Sequence, residues 1–179
     1  MHFGWKNTLF SYQLEGRYLE KVSEGKDLGV VVRNDLKVSK HCSHAYAKAN
    51  KLLGVINRTI CYKSPDILLQ LYKSLVRQHL EYCTSAWSPY YNKDKQLLER
   101  IQHRKELPYY FTQCPWSLEA RWYCSNLIEV CKMLHGKSAV NFDSFFELDE
   151  TGRTRGHSFS FKLKKRRIST DLRQHFFSE

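Results

Sequence analysis

The sequence predicts a mainly α protein in which an N-terminal β-hairpin precedes a helical bundle and a basic, weakly structured C-terminal tail. Three observations support this prediction. Residues 8–33 are predicted to be β, and within them Phe10, Tyr12 and Leu14 alternate with polar residues as in a half-buried strand. Between residues 39 and 136, apolar residues recur at the period of an amphipathic helix in four separate segments. Residues 151–179 lack both periods and hold eight basic and two acidic side chains, a balance of +6 within a total of +11.

The hairpin is predicted from the alternation that begins at residue 10. Residues 10–14 form the first strand, Glu15-Gly16 is a plausible turn, and residues 17–22 return as the second strand. Residues 25–27 break the pattern. The apolar, β-branched run Leu28–Val32 then fits a further buried strand.

The first helix is predicted to begin at Ser39, whose side chain is a good N-cap. At about 100° per residue, two faces separate on this helix. The apolar face fits packing against a core and holds Ala45, Ala49, Leu52, Leu53, Ile56 and Ile60. A separate arc of under about 90° is cationic and holds Lys40, His44, Lys48, Lys51 and Arg58. This arc is either an ordinary solvated face or a surface that meets phosphates.

Three further helices are predicted. Ser64-Pro65-Asp66 opens the second helix, with Ser as the cap and Pro at the first helical position. The broad apolar face of this helix suits the middle of a bundle and consists of Ile67, Leu68, Leu71, Tyr72, Leu75, Val76 and Tyr82. A third helix runs from about Asp94 to Arg104. Ser117 caps the fourth and Gly136 ends it, and its apolar positions are Ala120, Cys124, Leu127, Ile128, Cys131 and Leu134.

Cysteine spacing and hydropathy predict the compartment. The six cysteines form no C-x-x-C pair and no signal peptide precedes them, so free thiols in a reducing compartment are expected. No apolar run approaches the roughly 20 residues that a transmembrane helix needs. We therefore expect a soluble intracellular protein, in the nucleus or the cytoplasm, without a membrane partner.

No constellation in the sequence predicts catalysis. The segment His41–His44 and the pair Cys131 and His135 are each half a metal site at best, and a core cysteine with a solvated histidine is the simpler interpretation of both. A two-metal nucleotidyl transfer centre needs converging carboxylates, and the chain has no adjacent Asp pair. We expect no catalytic residue, no metal site and no cofactor.

The basic excess favours polyanionic partners. The chain has 29 Lys and Arg against 18 Asp and Glu, and such a charge attracts phosphate backbones through Coulomb steering and counterion release. A ribosomal-type or merely soluble basic protein shows the same excess, so charge alone leaves these classes open.

Several strings stand in a definite order along residues 10–178. They are Tyr12–Gly16, Leu19–Val22, Lys26–Val30, Ala47–Arg58, Leu71–Arg77, Leu80–Cys83, Ala86–Pro89, Leu98–Arg104, Leu127–Val130, Thr154–His157 and His175–Ser178. In this order they resemble the region after the catalytic centre of non-LTR (LINE-type) retrotransposon reverse transcriptases, and the closest branch is the Jockey-like one.

The resemblance implies three segments. Residues 1–38 correspond to the palm edge, and residues 39–136 to a thumb-like helical region that grips the template–primer duplex in the family. Residues 137–179 form the basic C-terminal tail. The palm-edge hairpin would carry a primer-grip-like turn at Leu28, Gly29 and Val30. The family's catalytic Asp-Asp motif precedes the primer grip and is missing here, so the chain is expected to be a fragment of an RNA-directed DNA polymerase without catalytic activity.

The predicted activity is sequence-nonspecific binding of RNA or DNA through phosphate contacts. The residues expected to make these contacts are Lys40, His44, Lys48, Lys51, Arg58, Arg153, Arg155, Lys162, Lys164, Lys165, Arg166 and Arg167. Two alternatives stay open. The chain is a translated retroelement fossil without molecular function, or it is a basic nuclear interaction module in which Lys162–Arg167 acts as an import signal. The sequence leaves the oligomeric state open.

Overall fold

The protein is mainly α-helical in the computed structural model, which describes residues 1–4, 7–62, 64–103, 116–148, 162–164 and 167. Two hairpins precede the helices and consist of β1 Gln13–Leu14, β2 Arg17–Tyr18, β3 Glu24–Asp27 and β4 Val30–Arg33. The helices are α1 Ser39–Thr59, α2 Pro65–Leu71, α3 Arg77–Glu81, α4 Thr84–Trp87, α5 Asn92–Gln102 and α6 Leu118–Leu134. None of these described helices has both the length and the apolar content that a membrane crossing requires.

The first hairpin forms where the alternation predicts it, but its strands are shorter. Gln13 pairs with Tyr18, and the turn residues Glu15 and Gly16 have φ angles of 51° and 78°. Two successive positive φ values are typical of a type I′ turn, whose twist matches that of the strands. The prediction of half-burial is wrong, because the apolar residues of this segment are exposed: Phe10, Tyr12, Leu14, Tyr18 and Leu19.

The second hairpin corrects the sequence prediction. Residues 24–27 are a strand rather than a break, and they pair in antiparallel register with β4. Leu28 and Gly29 form the connecting turn, with φ angles of 43° and 89°. The predicted strand therefore loses its first two residues to the turn, and its buried end is Val30, which joins the core.

Helix α1 begins as predicted, although the capping prediction for Ser39 is wrong. Val38 occupies the N-cap position, and Ser39 lies inside the helix. The Ser39 hydroxyl donates a hydrogen bond to a carboxylate oxygen of Asp94 at 2.5 Å, and Asp94 is buried. A buried carboxylate beside the positive end of the α1 dipole is favourable. The predicted apolar face of α1 is confirmed by the burial of Ala45, Ala49, Leu53 and Ile56.

The second predicted helix is interrupted by a π-turn, Tyr72–Val76, that separates α2 from α3. A π-turn closes i→i+5 hydrogen bonds, so it inserts one residue and rotates the next turns of the chain relative to an unbroken helix. The broad apolar face is therefore only partly buried. Tyr72, Val76 and Leu80 are in the core, whereas Ile67, Leu75 and Tyr82 are exposed.

Both later helices form at the predicted positions. The third predicted helix is α5, which buries Leu98 and Ile101. The Ser117 hydroxyl accepts a hydrogen bond from the Ala120 backbone N–H at 3.1 Å, which confirms Ser117 as the cap of α6. Gly136, with a φ of 64°, lies just after the end of this helix as predicted. The apolar stripe of α6 is not fully buried, since Leu127, Ile128 and Cys131 are exposed.

The chain forms two compact units, Met1–Trp122 and Tyr123–Glu179. In the second unit a small cluster contains Met133, Phe142 and Phe146, and the two phenyl rings stack with centroids 5.3 Å apart. The first unit has the larger core, whose most deeply buried large side chains are Trp87, Leu80, Leu98, Ile101, Leu118 and Val76.

Candidate nucleic-acid interface

Helix α1 carries an exposed cationic face. Its 21 residues include no Asp or Glu, and they include three lysines and one arginine. All five residues predicted to contact phosphates on this helix are exposed, namely Lys40, His44, Lys48, Lys51 and Arg58. The structure therefore brings this part of the predicted set together on one surface, which spans most of the length of α1.

The opposite face of α1 fixes this orientation. Cys42, Ala45 and Ala49 are almost completely buried there. Burial, and then the nearby Asp94 carboxylate, raise the pKa of the Cys42 thiol to about 12. The thiol therefore stays protonated at neutral pH, and it serves as a small core side chain rather than as a nucleophile.

His41 joins α1 to the second hairpin. Its Nδ1 accepts a hydrogen bond from the Val31 backbone N–H at 3.1 Å, and its ring packs edge-on against Trp87 at 4.5 Å. Burial, and then the nearby charges of His44 and Lys26, lower the pKa of His41 to about 4. The expectation of solvated histidines in this segment is thus wrong for His41, whereas His44 is exposed.

The depressed pKa of His41 predicts acid-sensitive stability. The unfolded value is about 6.5 and the folded value is about 4. The contribution of His41 is therefore complete above pH 6.5 and is lost as the pH falls toward 4. Between pH 6.5 and 4.5 we expect a loss of about 2 kcal/mol, because protonation charges a buried ring and removes the acceptor for Val31.

Urea unfolding at several pH values measures this contribution. The control is His41→Asn, which retains an acceptor for Val31 but does not titrate. Carboxylates titrate in both proteins. The informative quantity is therefore the difference between the two proteins in how much their free energy of unfolding falls as the pH is lowered below 6.5. If the free energy of unfolding falls equally with pH in the two proteins, the assignment of this pH dependence to His41 is contradicted.

The structure adds two basic residues that the helical period did not identify. His79 on α3 lies near Lys48, since burial and then the Lys48 charge lower its pKa. Lys26 on β3 lies near His41, whose pKa it helps to lower. Both approach α1 from other elements. Local spacing in the sequence does not identify these two residues as neighbours of α1. Their proximity to α1 is visible only in the tertiary fold.

The primer-grip-like residues are held against the end of α3. Leu28 is 83% exposed at the tip of the second hairpin, and the Tyr82 hydroxyl donates to its carbonyl oxygen at 3.1 Å. A Cβ added at Gly29 would lie 3.4 Å from the Tyr82 ring, an ordinary van der Waals contact, but the positive φ of Gly29 disfavours a side chain. Val30 is buried. Leu28 alone among these three presents a largely exposed side chain.

Only part of the predicted tail surface is described. Leu163 forms an antiparallel bridge with Leu148, and Lys164 forms an ion pair with Glu147 at 3.2 Å. Lys162 and Arg167 are exposed. The other predicted tail contacts lie outside the described residues, and they are Arg153, Arg155, Lys165 and Arg166.

The pair Cys131 and His135 does not form the core arrangement expected from the sequence. Cys131 is exposed, and its carbonyl oxygen lies 2.7 Å from Nδ1 of His135. This interaction involves the backbone carbonyl at the last turn of α6, and the Cys131 thiol takes no part in it. Among the described residues, no group of three or more His, Cys, Asp or Glu side chains is arranged to hold a metal ion.

Comparisons of the chain with protein-family models, with curated proteins and with solved structures find no match. The exposed cationic face of α1 is the feature of the described residues that bears most on function.

Proposed function

We propose that this protein binds RNA or DNA through phosphate contacts, without sequence preference, as a non-catalytic, thumb-like part of a retrotransposon reverse transcriptase. The observation that supports this proposal is the exposed cationic face of α1. A helix that lacks acidic residues along 21 positions has no partner within itself for its lysines. The helix itself therefore does not neutralise this charge, and a carboxylate from outside the helix, that of Glu24, lies 3.7 Å from Lys40 Nζ.

The chemistry of the face favours a phosphate backbone over a specific sequence. Lysine ammonium groups bind phosphate as point charges, whereas base recognition depends on planar, bidentate donors placed at base edges. Contacts of the first kind position a duplex but carry no sequence information. The exposed α1 residues Lys40, Lys48 and Lys51 are expected to make such phosphate contacts.

The second expected contributor is the tail. The segment 162–167 holds five of the eight basic residues in the last 29 positions of the chain. Two cationic surfaces on one chain increase the number of phosphates that can be neutralised together, and each neutralised phosphate adds to the affinity. The proposal assigns no catalytic step to this chain.

Replacing Lys48 and Lys51 with Ala tests the proposal. At about 100 mM salt we expect affinity to fall by roughly 10- to 60-fold, because two cations no longer reach phosphates. The fall should be similar for unrelated RNA and DNA duplexes. Fluorescence anisotropy with labelled duplexes measures it.

The matched control is Lys73→Ala with Lys132→Ala. Both residues are exposed and lie outside the predicted surface and the tail, and their replacement removes the same charge. An equal loss in both double variants would show that net charge, rather than the α1 face, governs binding. An absence of binding in the wild-type chain would overturn the proposal and favour the fossil alternative.

A further inference from the structure

Two of the lysines expected to bind phosphates already face a carboxylate of this chain. Lys40 Nζ lies 3.7 Å from a carboxylate oxygen of Glu24, and Lys164 Nζ lies 3.2 Å from a carboxylate oxygen of Glu147. The two pairs occur in different units and share no residue. A phosphate that approaches either lysine therefore competes with a carboxylate for the ammonium group.

Both carboxylates are carried by backbone that is itself paired. Glu24 lies on β3, opposite Arg33 of β4. The carbonyl oxygen of Glu147 accepts a hydrogen bond from the Lys164 backbone N–H at 2.8 Å, next to the Leu148–Leu163 bridge. Backbone pairing thus fixes the main chain of each acid, and for Glu147 it places that main chain directly next to its lysine.

The ion pairs are nevertheless weak enough to exchange. The side chains of Lys40 and Glu24 are 54% and 49% exposed, and those of Lys164 and Glu147 are 63% and 47% exposed. Exposed ion pairs of this kind change an equilibrium by no more than about fivefold, because water and salt screen them. A phosphate backbone that binds several cations at once can displace both carboxylates.

We infer that Glu24 and Glu147 are built-in competitors, one on each of the two cationic surfaces expected to bind phosphate. This inference depends on the proposed function. Each competitor lowers the affinity for any polyanion by a small factor. A phosphate backbone that also contacts several other cations still binds, because each of those contacts adds to the affinity.

The test compares Glu24→Gln and Glu147→Gln with two controls of equal charge change. Glu20→Gln removes an exposed acid just before the second hairpin. Glu129→Gln also releases an exposed lysine, Lys132, which lies 3.2 Å from Glu129 and outside the predicted surface. The full chain is titrated with labelled RNA and DNA duplexes of about two helical turns, over a salt series.

Each competitor variant should bind up to about fivefold more tightly than its control, and the double variant up to about 25-fold, because the two pairs share no partner. The advantage should shrink as salt rises. If the wild-type chain binds, but the competitor variants bind no more tightly than their controls, the inference is overturned and the proposed function stands. Binding by the double variant alone supports the inference and overturns the proposed function of the natural chain. No binding by any variant overturns both.

Discussion

Replacing Trp87 with Ala should lower the free energy of unfolding by about 3–5 kcal/mol, which is the largest single effect we expect on the fold. Trp87 is 1% exposed and belongs to the core of the first unit. Its ring packs against His41 at 4.5 Å and Trp122 at 6.3 Å, both edge-on. Its indole N–H donates to the Tyr82 carbonyl oxygen at 2.6 Å, just after the end of α3.

The size of this effect has three simultaneous causes. The substitution opens a cavity among side chains from several elements, leaves the Tyr82 carbonyl without its indole donor, and removes the ring against which His41 packs. Since His41 also accepts a hydrogen bond from Val31, the second hairpin should loosen as well.

Urea denaturation of one further variant separates the hydrogen bond from ring packing, and a second variant serves as a control. Trp87→Phe keeps an aromatic ring but loses the hydrogen bond, so it should cost less than Trp87→Ala. Trp116→Ala changes a residue that is 52% exposed, and it should change stability by under about 1 kcal/mol. Similar effects for Trp87→Ala and Trp116→Ala would mean that the first unit lacks a packed core around Trp87.

The features that the sequence predicted well are those set by local periodicity. The two faces of α1 can be derived from residue spacing alone, because neither face requires knowledge of its partner. The same holds for the ends of α6, where Ser117 accepts a backbone hydrogen bond and Gly136 adopts a positive φ. Caps and periods are encoded within a few residues, so they can be identified without the fold.

The features that the sequence predicted poorly depend on distant residues. Leu75 fits the apolar period of an unbroken helix, but the π-turn leaves it 40% exposed. Ser39 is a good cap in isolation, yet its hydroxyl donates to Asp94, which is 55 positions away in the chain. The burial of His41 likewise depends on Trp87 and on β4. No window of local sequence contains these partners.

The candidate interface also contains one part that local sequence predicts and one part that depends on distant residues. Its cations on α1 could be predicted from spacing, because an amphipathic helix shows its polar face in the sequence. The acids that face Lys40 and Lys164 could not be predicted, since Glu24 comes from a strand and Glu147 from across a bridge. Charge counts along a segment therefore overestimate the positive potential that a phosphate meets at these two lysines.

Nucleic-acid affinity should fall by about 10³–10⁵ between roughly 50 and 200 mM salt, which is the largest effect we expect on function. This range corresponds to roughly five to ten phosphate contacts, shared between α1 and the tail. Each neutralised phosphate releases condensed counterions, so the slope of log affinity against log salt reports the number of phosphates bound. Anisotropy titrations with duplexes over a salt series give this slope directly.

Variants of the two surfaces show how much each surface contributes to the slope of log affinity against log salt. Replacing Lys48 and Lys51 with Ala should make it shallower by about one unit for each phosphate that is no longer neutralised. Replacing all four basic residues of 164–167 should reduce it further, because four charges are removed. The two sets lie on separate segments, so their effects should be nearly additive. If the tail variant loses all binding while the α1 variant loses none, then α1 is an ordinary solvated face and the tail alone binds.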